Sequence, residues 1–274
     1  MIYMNFSYFY TMKEVQELFD FLQNHLRVKS IGEELMLFTS ENYKQVMAHH
    51  NFQTAVIQTP EGLMKFDLGD QQPTPISPDE VFPPETPLFE AFPHIARNRR
   101  VFIGIESKVT HIATRSDLDK IPIRLGLFGL ISVLESVLRE IVRSSLPEWE
   151  ESLSEERLDS ARTLYQLKTA RSEEIDLIQC LQLGDLGSIF SKNKRYKIFG
   201  PSVSRKVYDD RIRNIGKLRD ALAHSQDILP FDWEEIATMV GFIRQILQNN
   251  QPGKFWVPES LDGSSSPIPP ATFK

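Results

Sequence analysis

The apolar positions of this chain change their period along its length, and the changes divide it. Val15, Leu18, Phe19, Leu22 and Leu26 recur at the spacing of one helical face, and Thr11 followed by Glu14 has the form of a capping box. That pattern predicts a helix over 12–27. Short β-rich runs then take over: LMLF (35–38), TAVIQT (54–59) and LMKFDL (63–68), with a helical piece at 41–50 and a turn at 60–62. The order is strand, helix, strand, turn, strand. A connector rich in proline follows at 71–87.

The same order then returns. Val81 and Phe82 precede a helix over 87–98, the strand RVFIGIE (100–106), a turn at Ser107 and Lys108, and VTHIATRSDL (109–118). An offset of about 46 residues superposes Tyr43 on Phe89, Ala55 and Val56 on Val101 and Phe102, and Gly62 on Lys108. A period in this range points to two copies of one small α/β unit. From residue 119 the β signal stops, and helical patterns run over 125–146, 154–174, 175–183, 202–225 and 232–250. The fold class expected is α+β. Its divisions are an N-terminal helix (1–27), a pair of α/β units (28–120), an all-helical region (121–250) and a flexible tail (251–274).

At 274 residues, 41% hydrophobic and 25% charged, the chain has ordinary globular composition and enough length for a sizeable core. A net charge of −6 excludes a general polyanion binder, so any nucleic-acid site must be a local basic patch. One candidate spans 190–220, with ten basic and three acidic residues, whereas 146–160 holds six acidic and one basic. Tyr196 and Phe199 lie among those bases, where aromatic rings stack on nucleobases; the plain alternative is a solvated face with its aromatics in the core. One cysteine, Cys180, excludes an intramolecular disulfide. The opening MIYMNFSYFY lacks the features of a signal peptide, and the apolar run at 125–134 is too short to cross a bilayer. A cytoplasmic location without a membrane partner is expected. His49 and His50 point to different helical faces, and no metalloprotease, serine-hydrolase or phosphate-loop motif occurs, so no metal is expected.

The repeated unit, ending in a hydrophobic strand and then Thr114, Arg115, Ser116 and Asp117, resembles a CBS domain, and two in tandem resemble a CBS pair. The resemblance implies an adenine nucleotide (AMP, ADP or ATP) as regulatory ligand, with Thr114 serving phosphate and Asp117 the ribose. His111 stands where that family usually has glycine, and the first unit offers Asp67 and Asp70 at the matching positions. The alternative role for Ser116 or Asp117 is to cap the following helix.

The helical region carries a second resemblance. LESVLREIV (134–142), Lys197-Ile198-Phe199 and LRDALAHS (218–225) are similar to a HEPN domain, whose marker is Arg, a polar residue and His. Here these are Arg219, Asp220 and His224. The resemblance implies a homodimer in which two motifs share a cleft and cut RNA without metal. Histidine moves the proton, arginine holds the phosphate, and Asp220 orients them. The structural alternative pairs Arg219 with Glu135 or Glu140 and leaves His224 as a helix cap. The joint expectation is a nucleotide-sensing regulatory protein whose helical region acts as an endoribonuclease. Its rival is a non-catalytic nucleotide sensor or dimerisation module. The homodimer contact is expected on a HEPN-like face that uses Phe128, Ile131 and their helical neighbours.

Overall fold

The computed structural model of the chain describes residues 6–105, 108–199, 203–226 and 228–249. The expected tail at 251–274 and the turn residue Ser107 lie outside them. The first helix, α1 (Phe6–His25), starts ahead of the capping box, so Thr11 is an interior residue and not its cap. Its inward side buries Phe19 and Leu22, and Leu26 just past its end is buried with them.

Two α/β units follow in matching order. After β1 (Glu33–Glu34), the first unit runs β2 (Leu37–Phe38), α2 (Tyr43–His50), β3 (Thr54–Thr59), β4 (Gly62–Asp67) and β5 (Thr74–Pro75). The second runs β6 (Val81–Phe82), α3 (Leu88–Asn98), β7 (Arg100–Ile105) and β8 (Lys108–Thr114). In each unit a helix carries the chain between two parallel strands, and the next strand returns antiparallel, as such connections require. The registers repeat as well. Val56 lies opposite Leu37 as Phe102 lies opposite Val81, and Thr59 faces Gly62 as Ile105 faces Lys108. An irregularity at Ile103 and Gly104 then adds one residue to β8, so Thr114 faces Arg100 where Asp67 faces Thr54. β1 extends the second sheet alongside β8.

The helices are α4 (Ile121–Ser145), α5 (Glu155–Thr169), α6 (Leu183–Lys192), α7 (Arg205–Ala223) and α8 (Trp233–Asn249). The segment expected to be helical at 175–183 makes only a 3-10 turn, Leu177–Cys180, and α6 begins where that expectation ended. α4 is the spine: Ile123, Leu127, Leu130, Ile131, Leu134, Leu138 and Val142 are buried at helical spacing. Gly126 lets α1 and α3 approach, because a Cβ there would lie 2.6 Å from the Phe89 ring and 2.8 Å from Leu26. The apolar run at 125–134 thus sits inside a helix long and apolar enough to cross a bilayer, with 50% of its most apolar window buried in the chain.

The main core unites α1, the second unit and the helices, and so crosses the division expected near residue 120. Phe92 of α3 meets Trp233 of α8 edge-on, and Arg244 of α8 donates to the Phe89 carbonyl at 2.7 Å. The first unit has a small core of its own: Phe38, Tyr43, Met47, Ala55, Ile57 and Phe66. Of the residues expected on a dimer face, Ile131 is only 1% exposed and belongs to the main core, while Phe128 is 39% exposed. The two stand about 60° apart around α4, Ile131 on its buried face and Phe128 at the edge of that face.

Candidate functional site

α7 begins at Ser204, whose hydroxyl accepts the Val207 N–H, and it buries Tyr208, Ile212, Ile215 and Leu218 at helical spacing. Arg219, one residue past that stripe, stands at the seam with α4. Its Nη1 donates to Glu135 Oε1 at 2.9 Å, while Nε and Nη2 donate to Asp220 Oδ1 at 3.1 and 2.8 Å. The other oxygen of Glu135 accepts from Arg139 at 3.2 Å. Burial works to lower the Arg219 pKa, but the hydrogen bonds to Asp220 and Glu135 outweigh it, and the net shift is upward. Arg219 is a fixed cation.

His224 caps the C-terminus of α7, its N–H donating to the Asp220 carbonyl at 3.0 Å. The chain leaves through Ser225 at a positive φ of 49°, and Arg124 of α4 pins the departing loop by donating to the Gln226 carbonyl at 2.6 Å. The His224 side chain is exposed and makes no hydrogen bond among the described residues. One helix end therefore holds all three expected residues. Arg219 and Asp220 are in contact, whereas the exposed imidazole makes no hydrogen bond to either among the described residues. Between 192 and 217, Lys192, Lys194, Lys197, Lys206 and Lys217 are exposed and form no ion pair among the described residues. Tyr196, expected as a stacking platform, instead packs on the core with its ring 6.0 Å from that of Tyr208. The side chain of Phe199 lies outside the described residues.

Thr114 and Asp117 also meet, but on each other. Asp117 Oδ2 accepts the Thr114 N–H at 2.7 Å and its hydroxyl at 2.8 Å, and Oδ1 pairs with Lys120 at 2.8 Å. Asp117 is 7% exposed. The equivalent end of the first unit repeats the turn, with Asp70 accepting the Asp67 N–H at 3.0 Å. Here the pair closes a strand end and starts the 3-10 turn Arg115–Asp119.

The space between the two unit ends is filled by a cluster that the sequence pattern did not reveal. Arg100, only 6% exposed, donates through Nε to Thr54 and Asp67 at 3.1 Å each, through Nη2 to Asp67, and through Nη1 to Glu80 at 2.9 Å. Lys65 adds a contact of 2.6 Å to Glu80. Burial works to raise the Glu80 carboxyl, yet the hydrogen bonds from Lys65, the Ser77 N–H and Arg100 hold it below its usual range. One signal existed: Arg100 occupies in the second unit the repeat position of Thr54, directly beside Asp67 in register terms. No family model, no curated protein and no solved structure matches this chain.

Proposed function

We propose that the chain binds RNA through its basic helical surface and cuts it at the Arg219–His224 end of α7, as a HEPN-like bundle joined to a CBS-like pair. The observation that carries this reading is a guanidinium locked by Glu135 beside an unencumbered histidine, at the end of a helix whose outer lysines are unpaired. Arg219 can trade the exposed carboxylate of Asp220 for a phosphate while Glu135 keeps it in place. In the reaction the ribose 2′-oxygen bonds to phosphorus, the bond from phosphorus to O5′ breaks, and the products are a 2′,3′-cyclic phosphate and a 5′-hydroxyl. One imidazole takes the 2′-hydroxyl proton, and a second, from another copy of the chain, returns a proton to O5′. Arg219 stabilises the charge on the phosphoryl oxygens. The exposed apolar residues Ile121, Leu125 and Phe128, spaced along one side of α4, offer a surface for that second copy.

An adenine nucleotide is no part of this proposal, because Thr114 and Lys120 already engage both oxygens of Asp117. A second reading, a non-catalytic binding module, is favoured by the two carboxylates on Arg219. The test is incubation of end-labelled single-stranded RNA in excess EDTA. Cyclic-phosphate ends that disappear with His224→Ala support cleavage, and intact RNA at all protein concentrations leaves only the binding module.

A further inference from the structure

α6 and α7 run antiparallel and leave a cleft of about 330 Å³ between them. Gly187 sets their closeness, since a Cβ there would lie 2.6 Å from Ile212. Three cations line the cleft, Lys192 on α6 and Arg205 and Arg213 on α7, with the hydroxyls of Ser188 and Ser191 and the carboxylate of Asp209. Arg205 is already oriented inward: its Nε donates to the Oγ of Ser191 at 2.8 Å, and Ser191 is 5% exposed. Arg205 also lies 3.6 Å from Asp209, and Arg213 pairs with Asp210 at 2.8 Å. Those pairs are exposed and three or four residues apart in one helix, where such contacts contribute little. A doubly held phosphate displaces them, and Lys192 has no competing partner among the described residues.

The cleft has a direction. Along α7 its walls end at Arg213, and one turn on, Gly216 has nothing within 4 Å of where a Cβ would stand. The next turn presents Arg219 and Asp220. From Arg213 to Arg219 the helix rises about 9 Å. Lys206, Arg213, Lys217 and His224 follow one another at seven, four and seven residues, which on a helix is a single outward ridge beside the cleft. Cations therefore continue from the cleft to the histidine without an intervening side-chain wall.

We infer that the α6–α7 cleft is a sugar-phosphate subsite for single-stranded RNA, which holds backbone phosphates on Lys192, Arg205 and Arg213 and leads the strand over Gly216 toward Arg219 and His224. The inference rests on the RNA reading above and specifies where the strand lies. Among the described residues no aromatic side chain lines the cleft, so the subsite reads backbone and not base sequence. The subsite is assigned to one strand and not to a duplex.

The test is fluorescence anisotropy of a labelled single-stranded 12-mer RNA with the full chain, measured from 50 to 300 mM NaCl. Lys192→Gln combined with Arg213→Gln is expected to weaken binding about tenfold or more. It should also reduce the salt slope by about 1.4, the value for two lost phosphate contacts on a single strand. Lys44→Gln, on the first unit, serves as the control and should change neither. Unchanged affinity and slope in the double variant, with its melting temperature intact, overturn the subsite. So does equal or tighter binding of a duplex of the same sequence. Competition by millimolar inorganic phosphate that the double variant abolishes, without loss of RNA affinity, marks a free-phosphate site and also overturns the proposal. His224→Ala separates the two claims: binding that keeps its sensitivity to the double variant sustains the subsite even where the parent cuts no RNA.

Discussion

Arg100 and Arg219 each hold two carboxylates, yet their surroundings assign them different work. Arg100 is 6% exposed, takes Asp67, Glu80 and Thr54 from the first unit and its connector, and lies 5.0 Å from the ring of Phe102. Nothing of it remains to offer a ligand. It joins a unit with a separate small core to the rest of the chain. Arg219 is 29% exposed, and only Glu135 among its partners is buried. Asp220 is 60% exposed, and among the described residues its carboxylate is held by Arg219 alone. The difference lies in the guanidinium itself: enclosed with every nitrogen engaged, Arg100 ties the fold together. Arg219 reaches water together with its outer carboxylate, Asp220, which a ligand can replace.

The comparison breaks first at Arg100. Arg100→Met strands Asp67 and Glu80 without their main cation, and we expect a loss of about 3 kcal/mol, the low end for a broken buried pair because Asp67 is 37% exposed. Urea unfolding measures it. Hydrogen exchange should speed up over 37–75 and stay slow in α4, since the two regions do not share a core. Equal loss of protection in both would mean that the first unit is no satellite.

Arg219→Ala is expected to cost less, about 1–2 kcal/mol, because Glu135 keeps Arg139 and Asp220 returns to water. Asp117→Ala should cost a similar 1–2 kcal/mol as a lost cap at a strand end, without any heat from AMP, ADP or ATP in either protein by calorimetry. A heat of binding that Asp117→Ala removes would restore the nucleotide to the account.

Acid sharpens the same contrast. Glu80 has a depressed pKa in the folded chain, so its contribution is present above the unfolded value of about 4.3 and disappears as pH falls through the folded value. Docking of the first unit should therefore weaken below about pH 4, with exchange at 37–75 rising before that of α4. The smallest effect belongs to His224→Ala, within about 0.5 kcal/mol by thermal melting, as an exposed side chain without hydrogen bonds predicts.

Much of the fold was legible because period and length agree in its long elements. α4, α7 and α8, the strands β3 and β7, and the 46-residue offset all follow from apolar spacing. β1 and β5 have two residues each, too few to carry a period. α6 was missed because Gly184, Gly187 and Ser188 weaken its intrinsic helicity, and its packing against Ile212 supplies what propensity does not. Thr11 and Glu14 suit a cap or a helix interior equally, so the start of α1 was misplaced. At the site, Glu135 was foreseeable as the partner of Arg219, since both follow from two helices of known phase. The Arg100 cluster joins side chains 20 to 46 residues apart across two units, and no local pattern encodes such pairing.

The most direct test of the contrast is Arg219→Lys, measured for both stability and RNA cleavage in excess EDTA. Lysine keeps the charge beside Glu135 but not the planar fork that grips Glu135 and a phosphate together. The account predicts an unfolding free energy within about 0.5 kcal/mol of the parent and a cleavage rate at least about a hundredfold lower. A rate equal to the parent's, or a stability loss that accounts for the whole drop in activity, would place Arg219 with Arg100 as a structural cation and contradict the account.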